Sequence, residues 1–224
     1  MLHRVPSFLE FFQIDPDQRR HAMDLVHTTA ERSKGMMHVN DLEALAGLLL
    51  SHKPKLIFEI GTYLGNTSDF MLQLLPESRV VSIAYVNPAM RLFGKSYNNS
   101  ELAREQVGSM IDASRRSRFT QLYGDSHKLE APKLVAQFGR FDMMFVDGDH
   151  SGAGVKQDTK LAMGMLAENG LLAWHDANPK PKYTDVRAYL ENELEFIAMA
   201  TADTFIGGVA AWSRDITQRL GRLS

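Results

Sequence analysis

The chain has 224 residues, which suits one domain of generous size, and 44% hydrophobic and 23% charged residues are the balance of an ordinary globular protein. Its net charge is −2 without a long basic run, so the positive surface of a protein that binds many phosphates is missing and we expect no nucleic-acid partner. The chain has no cysteine, which excludes disulfides, thiolate metal sites and thiol nucleophiles and fits a cytoplasmic protein.

The first fifty residues predict a helical cap or lid, ahead of a single catalytic unit over residues 51–224. Residues 19–32 carry small apolar side chains at near four-residue spacing, and Asp41 is placed to cap the apolar run that follows it. Charged residues surround the short apolar run 8–12, and no stretch approaches the roughly 20 apolar residues of a membrane span. We therefore expect no membrane partner and no export signal.

From Lys55 onwards, short apolar runs alternate with helical patterns, which is typical of βα units and of a parallel sheet. Two further runs, 196–200 and 209–212, are separated by short turn material and predict an antiparallel hairpin at the sheet edge. The predicted fold is α/β, a doubly wound, mostly parallel seven-stranded sheet with the N-terminal helices as its cap. The five parallel strands are predicted at 56–60, 80–84, 119–122, 143–146 and 171–174, and helices at 101–114, 151–166 and 184–193.

The first predicted strand runs into a glycine-bearing turn with the sequence Glu59-Ile60-Gly61-Thr62-Tyr63-Leu64-Gly65-Asn66-Thr67. Ligands of open parallel sheets bind at the carboxyl ends of the strands, where Gly61 and Gly65 let the backbone approach closely. Asn66 or Thr67 is expected to cap the following helix, whose free N–H groups suit an anion. Glu59 ends a buried strand and needs a partner, such as a cofactor ammonium. For the glycines alone, a tight βα turn is the simpler explanation.

The fourth and fifth predicted strands end in carboxylates and imidazoles, within the segments Asp147-Gly148-Asp149-His150 and His175-Asp176. Neighbouring parallel strands lie about 4.8 Å apart, so Asp147 and Asp176 could share one cation. Oxygen ligands suit Mg²⁺ or Ca²⁺, and an added histidine also permits Mn²⁺. The alternative is that both aspartates are helix N-caps and that His150 and His175 are hydrogen-bonded polar residues lining a pocket.

These segments resemble motif I and the acidic strand ends of class I S-adenosylmethionine-dependent methyltransferases, especially small-molecule O-methyltransferases of the catechol and the antibiotic- and sugar-tailoring types. The resemblance implies a small-molecule hydroxyl acceptor, with His150 and Asp147 as the catalytic residues and His150 as the base. It also implies Mg²⁺ held by Asp147, His175 and Asp176. The cofactor S-adenosylmethionine would be bound by Glu59, Gly61, Thr62, Tyr63, Gly65, Thr67, Asp125, Ser126 and Asp147.

The third strand end resembles the family's adenine-contacting loop, whereas the second strand end departs from the family pattern. Asp125, after the third strand, is expected to accept a hydrogen bond from the adenine amine, although a turn or helix cap explains an Asp-Ser pair equally well. After the second strand the family places an acid that binds the ribose, but this chain has Ala84. Either Asn87 or a backbone group binds the ribose, or the affinity for the cofactor is weak, or the chain has lost the cofactor and is a catalytically silent binding protein on the same fold.

A third hypothesis is a metal-dependent hydrolase built on the aspartates and histidines of the strand ends, and the glycine turn with Glu59 argues against it. A homodimer is the expected assembly on general grounds, because two-fold dimers are the commonest oligomers.

Overall fold

The computed structural model describes residues 2–33, 38–86, 104–178, 184–194, 197–200 and 208–221. Its strands are β1 (Leu2–Val5), β2 (Leu56–Ile60), β3 (Arg79–Ala84), β4 (Phe119–Tyr123), β5 (Phe141–Val146), β6 (Leu166–Trp174), β7 (Ile197–Ala200) and β8 (Val209–Trp212). They form one sheet in the order β1-β7-β8-β6-β5-β2-β3-β4. β8 runs antiparallel to both its neighbours, and the other pairs are parallel.

The helices are α1 (Phe8–Phe11), α2 (Pro16–Arg32), α3 (Val39–His52), α4 (Asn66–Leu74), α5 (Ala131–Phe138), α6 (Gly152–Met165), α7 (Thr184–Glu193) and α8 (Arg214–Gly221), with 3-10 helices at Ala113–Arg118 and Ser126–Lys128. This is the predicted α/β fold with a doubly wound, mostly parallel sheet. Among the described helices, none has the length and apolar character needed to cross a membrane.

The sheet has eight strands in the described residues, so the predicted count of seven was wrong. The additional strand is β1, which pairs in parallel with β7 from Leu2 opposite Ile197 to Val5 opposite Ala200. Four residues are too few to show the alternation of side chains that is typical of a strand. The strand with which they pair, β7, lies almost two hundred residues away in the sequence. The predicted hairpin of β7 and β8 is confirmed as an antiparallel pair, but β1 covers β7, so the hairpin does not form the edge.

Alternating side chains of each strand enter two different cores, one on each face of the sheet. Met143 and Phe145 pack with α1 to α4 and α8, whereas Met144 and Val146 pack with α5, α6 and α7. Period-two alternation places neighbours on opposite faces, and helices on both faces bury both sets. Among the described residues, helices thus cover both faces of the sheet, and the strand ends are where open parallel sheets bind ligands.

Several helix ends differ from the prediction. Neither Asn66 nor Thr67 caps α4, because its N-cap is Gly65 in the left-handed region and no side chain caps this terminus. Asp41 lies inside the first turn of α3 and does not cap it either. The predicted helix 101–114 is absent from its described part, which forms turns from Arg104 to Met110 followed by the first 3-10 helix. Asn87 lies outside the described residues.

Candidate functional site

The glycine turn brings the ends of β2 and β5 into direct contact. Gly61 has φ +107°, and a Cβ atom there would lie 1.9 Å from the carbonyl oxygen of Asp147. The backbone N–H of Asp147 donates to the Ile60 carbonyl at 2.8 Å, and the N–H of Gly61 donates to Ile83 at 3.0 Å. Only glycine fits at position 61, because any side chain would separate the two strand ends.

The segment from Arg104 to Asp112 packs on the outside of the same turn. The N–H groups of Gly108 and Met110 donate to the carbonyls of Tyr63 and Leu64, at 3.0 and 2.9 Å. A Cβ atom on Gly65 would lie 2.9 Å from Gly108 Cα, so the two backbones touch. The glycine turn is thus held from outside by a segment that is remote in sequence.

A buried polar network lies beneath the turn and centres on Glu59, which is fully buried. Its Oε2 accepts hydrogen bonds from the hydroxyls of Ser68 and Ser82, both at 2.5 Å. The Ser82 hydroxyl also lies 2.7 Å from Thr62 Oγ1, which accepts a hydrogen bond from Gln121. The pKa of Glu59 is raised to about 7, chiefly because burial disfavours the charged form; the two serine hydrogen bonds lower it and the charge of Asp147 raises it.

The carboxyl ends of β5 and β6 bring together the four residues that were predicted to carry the chemistry. His175 Nδ1 lies 3.0 Å from Asp147 Oδ1 and 3.8 Å from Asp176 Oδ2. His150 Nε2 lies 3.0 Å from Asp176 Oδ2 and 3.5 Å from Asp147 Oδ1. Asp147, His175 and Asp176 each offer one ligand atom, and these atoms all lie within 4.8 Å of one another. Neither aspartate caps a helix; Ser151 is the N-cap of α6.

The charges in this cluster shift one another's protonation. Burial alone would lower the pKa of His150, but hydrogen bonds to Asp147 and Asp176 raise it to about 9. Burial would also lower the pKa of His175, yet Asp147 and Asp41 raise it well above its usual value. The two imidazoles hold the pKa of Asp147 below its usual range despite its burial. Without another cation, the carboxylates therefore keep both histidines protonated at neutral pH.

Asp41 is the one residue of the N-terminal helices that reaches this cluster in the described structure. It is 3% exposed, and its Oδ2 lies 3.1 Å from His175 Nε2. Its Oδ1 accepts a hydrogen bond from the N–H of Gly208 at 2.7 Å, just before β8. The sequence predicted a helix cap at this position. The signal for a contact with the strand-end cluster was a carboxylate inside the apolar run of α3.

One pocket joins the turn and the cluster. Its wall includes the turn from Gly61 to Thr67 together with Asp147, His175 and Asp41. The predicted cofactor residues Gly61, Thr62, Tyr63, Gly65 and Thr67 thus face the same space as two of the predicted metal ligands. Glu59 lies below the turn and does not line the pocket. The hydroxyl of Thr62 is directed into the buried network.

Asp125 and Ser126 lie apart from this pocket. Asp125 Oδ1 accepts from the His127 N–H at 3.0 Å and so caps the second 3-10 helix. The Ser126 hydroxyl donates to Asp158 on α6 at 2.7 Å. Asp158 is fully buried, and its Oδ2 lies close to Gly148, so this carboxylate ties the β4 loop to the loop that carries Asp147. Neither Asp158 nor the serines around Glu59 belong to a sequence motif or spacing that would have marked them as residues of the site.

Comparison with known proteins identifies a family for the central part of the chain. A family model described as a methyltransferase domain matches residues 58–177. Among curated proteins, no sequence matches the chain.

Three solved structures illustrate the likeness. A methyltransferase from Podospora anserina with bound SAH is 16% identical with a TM-score of 0.53, covering 90% of this chain and 89% of its own. An O-methyltransferase from Bacillus cereus in complex with SAH is 14% identical with a TM-score of 0.52, covering 89% and 92%. The O-methyltransferase TomG from Streptomyces achromogenes, involved in tomaymycin synthesis, is 17% identical with a TM-score of 0.50, covering 86% and 89%. At such identities the likeness shows a shared fold.

Proposed function

The chain belongs to the methyltransferase domain family, and from this premise we propose that it transfers the methyl group of S-adenosylmethionine to a hydroxyl of a small molecule. The observation that carries the proposal is the shared pocket, in which the glycine turn faces the Asp147 and His175 side chains. A methyl donor on the turn would place its reactive group beside residues that can bind and deprotonate a hydroxyl. Such juxtaposition is most of what an in-line displacement needs from a protein.

The turn offers the groups that a methionine-containing cofactor requires. No side chain caps the N-terminus of α4, which leaves this helix end to an anion such as the cofactor carboxylate. Glu59 Oε1 is buried beneath the turn and makes no hydrogen bond to any described residue, so the ionised carboxylate would favour a cofactor ammonium on the turn through its charge. The Podospora anserina and Bacillus cereus relatives, which contain SAH, support the same cofactor class.

A divalent cation fits the residues at the ends of β5 and β6. Asp147, Asp176 and His175 would hold it, with Mg²⁺ as the ion that the family resemblance implies. When bound, such an ion would lower the pKa of the acceptor hydroxyl and neutralise the carboxylates that otherwise keep His150 protonated.

His150 is then the residue that accepts the hydroxyl proton. Its Nε2 lies 3.0 Å from Asp176 Oδ2 and 3.5 Å from Asp147 Oδ1, so the imidazole stands beside the carboxylates at which the hydroxyl would bind. Asp147 orients the imidazole of His175 from the other strand end through its 3.0 Å contact. The chain thus supplies positioning and proton removal, and the cofactor supplies the reactive methyl group.

The test is calorimetric titration of the purified chain with S-adenosylhomocysteine, comparing Gly61→Ala with Gly139→Ala. Both glycines have positive φ, so both substitutions strain the backbone, but a Cβ on Gly139 meets nothing within 4 Å. We expect the native chain and Gly139→Ala to bind, and Gly61→Ala to bind at least about tenfold more weakly, or about 1.4 kcal/mol. Mass spectrometry of phenolic and sugar acceptors incubated with S-adenosylmethionine then identifies the methylated product.

An alternative function has one observation in its favour. Ala84 ends β3 where a ribose-binding acid is usual in the family, which a catalytically silent binding protein would tolerate. Absence of S-adenosylhomocysteine binding by the native chain would contradict the proposed function and favour this alternative.

A further inference from the structure

His175 is held on two sides by carboxylates that come from different parts of the chain. Asp147, at the end of β5, faces its Nδ1 at 3.0 Å, and Asp41, on α3, faces its Nε2 at 3.1 Å. The imidazole also lies against the ring of Phe145, with the ring centroids 6.3 Å apart. The orientation of the ring is therefore set by the protein before any ligand binds.

The two nitrogens of this imidazole face different environments. Nδ1 is directed at the candidate metal ligands, 3.0 Å from Asp147 Oδ1 and 3.8 Å from Asp176 Oδ2. Nε2 is directed away from them, toward a carboxylate that is 3% exposed and too remote in sequence to be part of the strand-end motifs. A histidine that binds a metal through one nitrogen commonly donates the other N–H to such a carboxylate, which fixes its tautomer and increases its basicity.

We propose that Asp41 is a positioning residue for the metal centre: it holds His175 so that Nδ1, after releasing its proton to solvent on metal binding, is a nitrogen ligand beside Asp147 and Asp176. The centre consequently prefers Mn²⁺ to Mg²⁺. The preference follows because Mg²⁺ takes oxygen ligands, whereas imidazole suits transition metals. This inference rests on the proposed function, since the metal centre lies in the same pocket as the cofactor turn.

The other oxygen of Asp41 makes a conservative test feasible. Oδ1 accepts from the Gly208 N–H at 2.7 Å, and the side-chain oxygen of an asparagine can keep this bond. The amide nitrogen of Asp41→Asn would then face His175 Nε2 as a donor and place the ring proton on Nδ1. The nitrogen that faces the metal ligands would no longer have a lone pair to offer.

The experiment measures Mn²⁺ binding to the full chain by the electron paramagnetic resonance signal of the free ion, with Mg²⁺ as competitor. We expect Asp41→Asn to weaken Mn²⁺ binding by about 10- to 100-fold while the melting temperature stays near that of the native chain. His175→Ala is the second variant and is expected to remove the preference for Mn²⁺ over Mg²⁺. The matched control is Glu43→Gln, which removes a charge from the same helix at a carboxylate that accepts from the Ser7 hydroxyl.

The outcomes separate the inference from the proposed function. Unchanged Mn²⁺ affinity in Asp41→Asn, an equal loss in Glu43→Gln, tighter binding of Mg²⁺ than of Mn²⁺, or no binding of Mn²⁺ by the native chain would each overturn the inference. Calorimetry with S-adenosylhomocysteine on the same proteins reports on the cofactor site alone. If the native chain binds neither Mn²⁺ nor S-adenosylhomocysteine, both the role of Asp41 and the proposed function are wrong.

Discussion

Glu59 shows how one buried carboxylate serves both the fold and the site. Oε2 accepts from Ser68 and Ser82, which join β2 to α4 and to β3, while Oε1 makes no hydrogen bond to the described residues. Its pKa of about 7 means that the ionised form is costly without a cationic partner, because burial withdraws it from water. A cationic group above the turn would reduce that cost, so the residue favours binding of a positively charged ligand.

The raised pKa of Glu59 predicts how stability varies with pH. Between its usual value of 4.5 and about 7 the folded chain binds this proton more tightly than the unfolded chain does, so the free energy of unfolding falls as pH rises through that window. The shift corresponds to about 3 kcal/mol, and Glu59→Gln should lack this part of the pH dependence. Urea denaturation of both proteins at several pH values, without cofactor, measures the pH dependence of the free energy of unfolding.

The control for this prediction is Glu168→Gln, which changes an exposed carboxylate in contact with Arg214. It should follow the native profile. If the profiles of Glu59→Gln and the native chain run parallel from pH 4.5 to 7, the carboxyl group of Glu59 does not titrate as described.

Helix α4 directly follows the glycine turn and holds it against the rest of the protein. Asp69, fully buried on α4, accepts hydrogen bonds from Arg115 at 2.8 and 3.0 Å, from Arg32 on α2 and from the backbone of Asp112. The segment that contains Asp112 also donates to the carbonyls of the turn. Three parts of the chain that are far apart in sequence therefore meet at one carboxylate beneath the site.

The substitution Asp69→Asn should lower both stability and cofactor affinity. It leaves Arg115 and Arg32 without their buried counter-charge, which we expect to cost about 2 kcal/mol, less than for a wholly buried pair because the Arg32 side chain is 35% exposed. Looser attachment of the segment at Asp112 should weaken S-adenosylhomocysteine binding as well. Chemical denaturation and calorimetry measure the two effects.

Asp215→Asn serves as the comparison, because the Asp215–Arg219 pair on α8 is a solvent-exposed i,i+4 contact. Exposed pairs of this kind contribute less than about 1 kcal/mol. Equal losses of unfolding free energy in the two variants would show that burial does not increase the contribution of Asp69 to stability.

In the sheet, the edge strands β1 and β7 are separated from the central strands whose ends carry the candidate site. β1 and β7 lie at one side of the sheet, several strands away from β2 and β5, whose ends carry the site. Both faces are filled by helices, and the polar residues of the site collect at the carboxyl ends of the central strands. This is the position at which open α/β sheets generally bind ligands, where the strand order reverses.

Removal of residues 2–5 should therefore affect stability and leave the site intact. The deletion exposes the edge of β7 and removes Val5, which is 7% exposed, and the loss should be about 2 kcal/mol of unfolding free energy. The affinity for S-adenosylhomocysteine should stay at the native value. A large fall in affinity with a modest fall in melting temperature would show that β1 is coupled to the site.

Local sequence patterns were enough to predict most of the central strands and to name the polar residues at their ends. The bounds predicted for β2 and β8 are those observed, and β3, β4 and β5 differ by one or two residues, because strands buried on both faces are continuous apolar runs. Gly61, Asp147 and His175 directly follow these apolar runs, so the candidate site could be proposed from local patterns alone.

Only the tertiary structure decided which other residues complete the site. Asp41, Ser82 and Gln121 come from elements that meet the site through packing, and nothing in their local sequence records the partner to which each hydrogen-bonds. The same reason explains β1, whose four residues form a strand only because β7 offers an unpaired edge. Local periodicity specifies elements, whereas contacts between distant elements depend on how the chain packs them together.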